Sequence, residues 1–201
     1  MESGWADWVG LGTIAFAVLI VCLLGMAVAL PSSAFSQGAS LKSIIDKYHA
    51  KNIEEAFYLT RSITQLQGTP TAKKSLCDLA MKALESPSSI KEVFFGVHTS
   101  EDLGCAKAVN EKVSRIIFQT IENEATTEEL YYATSAAFKL KEHKHISFDG
   151  KKFLSVIESL SDLTDKDGSV KNKPKDSKGS MTSTGLAFQT ASLIVKGTTI
   201  G

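Results

Sequence analysis

The sequence predicts an all-α fold of stacked helical hairpins, an α-solenoid-like array. Three observations predict it. Ile53–Tyr58 (IEEAFY), Ile90–Phe95 (IKEVFF) and Thr127–Tyr132 (TEELYY) share one pattern, and their starts lie 37 residues apart both times. A leucine follows each start after 13 residues: Leu66, Leu103 and Leu140. Between the copies the register holds, since Leu76, Leu79 and Ala80 map onto Val113, Ile116 and Ile117 with the same shift of 37. A fixed period of this size marks supersecondary units that bury their apolar faces only by stacking on one another. Such a chain is built to present surface.

The elements follow in order. Val9–Leu30 is a run of 22 residues without a charge, and as a helix it reaches roughly 33 Å, enough to span a bilayer core. Residues 1–34 read as a signal peptide or a signal anchor. Pro31 stops the helix, and Ser32 and Ala34 place small residues where a signal peptidase would cut before Phe35. The absence of a basic n-region and the length of the run suit an uncleaved anchor. Either reading sends the chain into the secretory pathway.

Residues 35–164 form the helical-repeat domain. Leu41, Ile44, Ile45 and Tyr48 predict a short amphipathic helix capped by Ser40 or Ser43. Ile53–Leu66 predicts the first helix of unit one, ended by Gly68 and Pro70. Ala72–Leu84 is its partner, with Leu76, Ala80 and Leu84 inward. Ile90–Leu103, closed by Gly104, and Ala106–Glu122, striped with Val109, Val113, Ile116, Ile117 and Ile121, make the second unit. Thr127–Glu142 and Lys151–Leu163 make the third. The pairs Phe57-Tyr58, Phe94-Phe95 and Tyr131-Tyr132 share phase with the apolar stripe and read as core anchors. Residues 165–183, rich in lysine and aspartate and without apolar periodicity, read as a polar flexible loop. Residues 184–201 read as the start of a further helical unit. No polar capping helix follows, so a truncated piece of a longer array is expected.

Charge excludes one partner class. With 22 basic and 22 acidic residues the formal net charge is zero, and no basic stripe is available to neutralise phosphates, so nucleic acid is not an expected partner. Chemistry finds little purchase. His143 and His145 read as an exposed polar turn, because a metal needs three or four converging ligands. Asp165-Lys166-Asp167-Gly168 resembles the middle of a calcium loop, yet Leu163 and Pro174 would occupy its first and twelfth positions, where carboxylates are required. Glu54/Glu55 and Glu128/Glu129 sit in first turns, where they favour the helix dipole. No phosphate-binding loop, nucleophile elbow or HExxH motif occurs. Neither a cofactor, a metal nor a catalytic residue is expected.

Cys22 lies in the apolar run. Cys77 and Cys105 are the only cysteines in the remainder. In an oxidising compartment an even pair predicts a disulfide; two buried free thiols, packing as small hydrophobes, are the other reading. Such a bridge would close a loop of 28 residues, worth roughly 3–4 kcal/mol on the chain-entropy account.

The order and spacing of Asn52–Tyr58, Ala72–Cys77, Ser88–Phe95, Leu103-Gly104-Cys105 and Glu129–Ala133 resemble the N-terminal lumenal region of the ribophorin II family. The likeness covers roughly Leu41–Val195, and no single motif in it is diagnostic. The resemblance implies an array of helices in an accessory, non-catalytic subunit of the endoplasmic-reticulum oligosaccharyltransferase complex. That complex transfers a preassembled glycan from a dolichol-linked donor to asparagine, with the chemistry carried by another subunit. The implied partners are the other subunits of the complex and the endoplasmic-reticulum membrane, with the bulk of the chain lumenal. β-rich domains and C-terminal membrane helices follow this region in the family, and this sequence contains neither, which fits the expected truncation. The alternative is a generic signal-anchored helical-repeat adaptor of the secretory pathway.

Overall fold

Helix boundaries are set by short polar side chains that cap the free N–H groups of each first turn. In the computed structural model, which describes residues 47–199 except 67, 69, 106–108, 144 and 149, α1 runs Ile53–Gln65. Its cap is Asn52, whose Oδ1 accepts from the Glu55 N–H at 2.9 Å. The Glu55 carboxylate returns the favour, accepting from Lys51 N–H at 2.9 Å and from the Tyr48 hydroxyl at 3.0 Å. Two orphan donors are satisfied reciprocally in this way. The third helix, α3 (Ile90–Leu103), repeats the arrangement with Ser89 accepting from Glu92 N–H and Glu92 accepting from Ser88 N–H. α5 (Thr127–Glu142) carries a full capping box between Thr126 and Glu129. The three capped helices begin at residues 53, 90 and 127.

The helices between them are α2 (Lys73–Glu85), α4 (Glu111–Glu122) and α6 (Leu154–Asp162), with a 3₁₀ turn at Gly150–Phe153 before α6 and α7 (Met181–Thr199) after it. α4 starts later than the apolar pattern predicts, at Glu111 rather than Ala106. The cause is Asn110: its Oδ1 caps Val113 N–H at 3.1 Å while its amide donates to the carbonyls of Leu84 and Glu85. One side chain thus closes the C-terminus of α2 and opens α4. α3 stops at Gly104, whose φ of 60° lies in the left-handed region that lacks a steric cost only for glycine.

All regular structure among the described residues is helical, apart from isolated bridges joining Thr164 to Val170 and Val170 to Ser180. α1 packs on α3, α3 on α5 and α5 on α7, forming one row. α2, α4 and α6 flank it, with α2 against α1 and α3, and α4 against α3, α5 and α6. The main core lies between these sets and includes Leu84, Val93, Val97, Val113, Ile117, Leu130 and Leu140. α3 is the helix sealed on every side: each residue from Val93 to Ser100 is buried. Gly96 makes this possible on the α2 side, where an added Cβ would sit 2.8 Å from Leu84 Cγ. Gly197 does the same for α5 and α7, since a Cβ there would overlap the Phe138 ring.

Several expectations need correction. The polar stretch after residue 164 is tied down by hydrogen bonds: Val170 is buried in the core, the backbone carbonyls of Lys171 and Asn172 accept from the hydroxyl and N–H of Thr127, and the Lys171 ammonium pairs with Asp165 at 2.9 Å. Of the aromatic pairs, Phe57, Phe94 and Phe95 are core residues, but Tyr58 is 55 % exposed and Tyr131 and Tyr132 are half-buried. The apolar run at 9–30, the segment 1–34 and the cap and apolar positions at Ser40, Leu41, Ser43, Ile44 and Ile45 lie outside the described residues. Tyr48, which closes that predicted helix, is outside any helix. No described helix is long and apolar enough to cross a membrane.

Phe94 joins α1 to α5 through α3 and is 4 % exposed. Phe94→Ala should therefore cost on the order of 3–5 kcal/mol in urea unfolding, the usual range for emptying a buried aromatic site. A loss below roughly 1 kcal/mol would show that this aromatic is not a core anchor.

Candidate interaction surface

α1, α3 and α5 meet along a seam that is aromatic at one end and charged at the other. At the N-terminal end the Phe57 ring lies 5.3 Å from Phe94 and 4.9 Å from Phe95. Phe94 continues to Tyr131 at 5.7 Å and to Tyr132 at 4.7 Å. Tilted and edge contacts of this kind add to simple area burial. Cations cover the outer side, with Arg61 over Phe57 and Lys91 over Phe95. Lys91 also pairs with Glu54 at 3.1 Å, between side chains that are both about half exposed, so the pair contributes little stability.

Halfway along the seam His98 is buried, with Nε2 at 2.9 Å from the Ser135 hydroxyl. Burial pushes the imidazole down to about 4; the Arg61 cation adds to this, Asp102 opposes it, and Lys139 adds again. His98 is therefore neutral at physiological pH. At the C-terminal end Asp102 sits between two cations from the flanking helices, Arg61 at 3.7 Å and Lys139 at 3.3 Å. Its neighbour Glu101 takes His143 Nδ1 on one oxygen at 3.1 Å and has His145 Nε2 beside the other at 3.0 Å. The second contact is not aligned as a hydrogen bond, and His145 Nε2 is fully enclosed. The expected exposed turn at His143 and His145 is thus a clasp on α3. Because the two imidazoles flank opposite oxygens of one carboxylate, they do not converge on a common point. Among the described residues no group of three or more His, Cys, Asp or Glu side chains is placed to hold a metal.

Cys77 in α2 and Cys105 just past α3 are brought together as a disulfide, with Cα atoms 5.6 Å apart. This separation lies in the middle of the range a bridge requires. The link runs alongside the close Gly96–Leu84 approach, so α2 and α3 are joined by packing and by a covalent tie. Beyond it, an open groove of about 700 Å³ lies where the C-terminal end of α4 meets the first turns of α3 and α5. Gln119, Asn123, Lys91, Glu128, Tyr132 and Lys173 line it. Burial, together with the hydrogen bond that Tyr132 donates to Glu128 at 2.6 Å in that wall, pushes its phenol above the usual range. The groove is open and mostly polar.

Sequence reasoning missed the charged end of the seam, although the period contained the signal. Asp102 and Lys139 are 37 residues apart, as are Glu54 and Lys91, and His98 and Ser135. Equivalent residues in helices stacked side by side touch, so opposite charges one period apart were candidates for pairing.

The buried histidine carries a pH dependence with a definite sign. Its pKa falls from 6.5 unfolded to about 4 folded, so between those values the unfolded chain binds more protons. Stability should be full above pH 6.5, decline as pH falls toward 4, and level off below, by on the order of 3 kcal/mol in total. Urea unfolding of His98→Asn against the parent across pH 4–7 checks this: the parent should lose more stability on acidification, and parallel curves would contradict it.

Residues 34–201 match the family model described as the Ribophorin II N-terminal domain. Neither a curated protein nor a solved structure gives a match. The match covers most of the chain and takes in every helix of both rows, the seam and both bridged cysteines, and on it the chain belongs to the ribophorin II family.

Proposed function

We propose that this chain is a non-catalytic subunit of the endoplasmic-reticulum oligosaccharyltransferase complex, serving N-linked glycosylation as a lumenal scaffold. The family match over residues 34–201 is the observation that carries the reading. In this reading residues 1–34 act as a signal peptide or signal anchor, and the remainder lies in the lumen against the membrane-bound complex. The Cys77–Cys105 pair supports that side of the membrane, because disulfides persist in oxidising compartments.

The scaffold role rests on a repeat. The contacts Glu54–Lys91, Phe57–Phe94, Phe94–Tyr131, Phe95–Tyr132, His98–Ser135 and Asp102–Lys139 each join residues 37 apart. Between α3 and α5 they run from the N-terminal to the C-terminal end, and between α1 and α3 they lie in the first turns, with Arg61–Asp102 following further along, so the three helices run parallel. This supports an array with a 37-residue unit in which α1/α2, α3/α4 and α5/α6 are successive hairpins and α7 opens the next. Arrays of this kind offer extended surfaces on which other subunits dock. The catalytic work is assigned to a different subunit.

Two experiments test the reading. The chain should co-purify with the catalytic oligosaccharyltransferase subunit, its depletion should lower site occupancy on glycoproteins, and the purified chain should transfer no glycan alone. Transfer by the isolated chain would overturn the accessory role; unchanged occupancy together with failure to co-purify would replace it with a general secretory-pathway adaptor. Independently, peptide mapping without reduction should recover Cys77 and Cys105 in one linked peptide, whereas thiol labelling of both would remove the support for a lumenal location.

A further inference from the structure

The groove at the first turns of α3 and α5 has a wall that the repeat alone does not supply. The period places the next row helix after α5 at Thr164, yet α7 begins at Met181. The residues between are an insert in the register, and they are firmly held. Thr127 donates through its hydroxyl to the Lys171 carbonyl at 2.6 Å and through its N–H to the Asn172 carbonyl at 3.0 Å. The Glu128 N–H donates to the Asn172 side chain at 3.3 Å. These bonds set Asn172 and Lys173 into the lining of the groove. Insertions into repeat units gather on one face, which is often the binding face. The lining also takes in Gln119, Asn123 and Glu124, at and just past the C-terminal end of α4. The side chains of Gln119, Glu124 and Lys173 are exposed and make no hydrogen bond or ion pair with other described residues. Tyr132 is fixed in place by Glu128 at 2.6 Å and by the Phe94 ring at 4.7 Å.

We infer that this groove binds a neutral saccharide. Its lining disfavours the other ligand classes in turn. Sites for small apolar molecules are lined mainly by hydrophobic and aromatic side chains, whereas this lining is mostly polar and, among the described residues, Tyr132 is its one aromatic. Peptides are taken up by an open sheet edge, an apolar groove for a helix, an aromatic-lined groove for a proline helix, or an arginine cluster. The groove offers none of these: helix ends and a loop bound it, and no arginine is among its described lining residues. Nucleic acid and anionic lipid need an excess of cations, but Lys91 and Lys173 are outnumbered by Glu124, Glu128 and Glu129. A saccharide needs what is present. Each of its hydroxyls is one donor and two acceptors. Gln119 offers both functions in one amide, and Asn172, having accepted from Glu128, keeps its amide N–H groups to donate. The Lys173 ammonium donates and the Glu124 carboxylate accepts. The Tyr132 ring adds a rigid apolar surface for the C–H face of a sugar ring. A volume of about 700 Å³ falls in the range of ligand sites. Because the groove is open, binding is weak, in the millimolar range. The inference rests on the groove and not on the accessory-subunit reading, and either can fail alone.

Saturation-transfer difference NMR and titration calorimetry on the full chain, in a detergent without a sugar headgroup, test it. Mannotriose, maltotriose and chitotriose are the saccharide probes, and an uncharged peptide of glycine, serine and asparagine probes for a polypeptide occupant. At least one trisaccharide should bind with a Kd between about 0.1 and 5 mM, and the peptide should not bind. Gln119→Ala combined with Lys173→Ala should weaken that binding at least about fivefold, the loss expected for a missing hydrogen bond, with an unaltered helical circular dichroism signal. Arg115→Ala, exposed on α4 but outside the groove, should leave it unchanged. Absence of trisaccharide binding up to about 10 mM overturns the proposal. So does binding that the double variant leaves intact, which would place the site elsewhere. Binding of the peptide in preference to all three trisaccharides would assign the groove to a polypeptide and equally overturn it.

Discussion

The parallel register between α3 and its two neighbours in the row is the constraint on which the other features depend. One helix, with all of Val93–Ser100 buried, must satisfy four neighbouring helices at once. On the α5 side it does so with residues one period away, and on the α1 side with Glu54 and Phe57 at that period and Arg61 one helical turn off it. Aromatic rings seal the N-terminal half of the seam, and Asp102, shared between Arg61 and Lys139, closes the C-terminal half. On the α2 side Gly96 lets Leu84 approach, and the Cys77–Cys105 link lies at the same junction. A slip of one turn in either direction would separate the charged partners and drive side chains into the space that Gly96 leaves open.

Part of this was legible in the sequence, since α1, α3 and α5 begin where the segments IEEAFY, IKEVFF and TEELYY place helix starts. The starts of α1, α3 and α5 follow from the pattern together with their caps, Asn52, Ser89 and Thr126. Where apolar periodicity and capping disagree, capping wins. Val109 extends the stripe of α4 toward its N-terminus, but the Asn110 side chain commits the backbone to begin the helix at Glu111. Composition misleads in a different manner after residue 164. Lysine and aspartate dominate the stretch, yet a single valine, Val170, takes it into the core, and the backbone then supplies carbonyls to the first turn of α5. Local polarity cannot announce a tertiary hydrogen bond made by the main chain.

The seam shows the same division. Its aromatic end was visible as repeated pairs, although Tyr58 turned out exposed because α1 lies at the edge of the described row. The charged end was not noticed, for it depends on which of many surface-type residues face one another across the row. His145 is the clearest instance: lysines surround it in sequence, but Glu101 draws it against α3 until its side chain is 7 % exposed. A docking surface spread over several helices is only as definite as their relative register.

Hydrogen exchange on the full chain is the most direct measurement of that register. If the stack is organised around α3, its amides from Val93 to Ser100 should exchange most slowly of all, at the rate set by global unfolding, with α5 close behind and α7 opening earlier. Exchange of α3 through local opening, at rates equal to or faster than those of α6 and α7, would contradict the account.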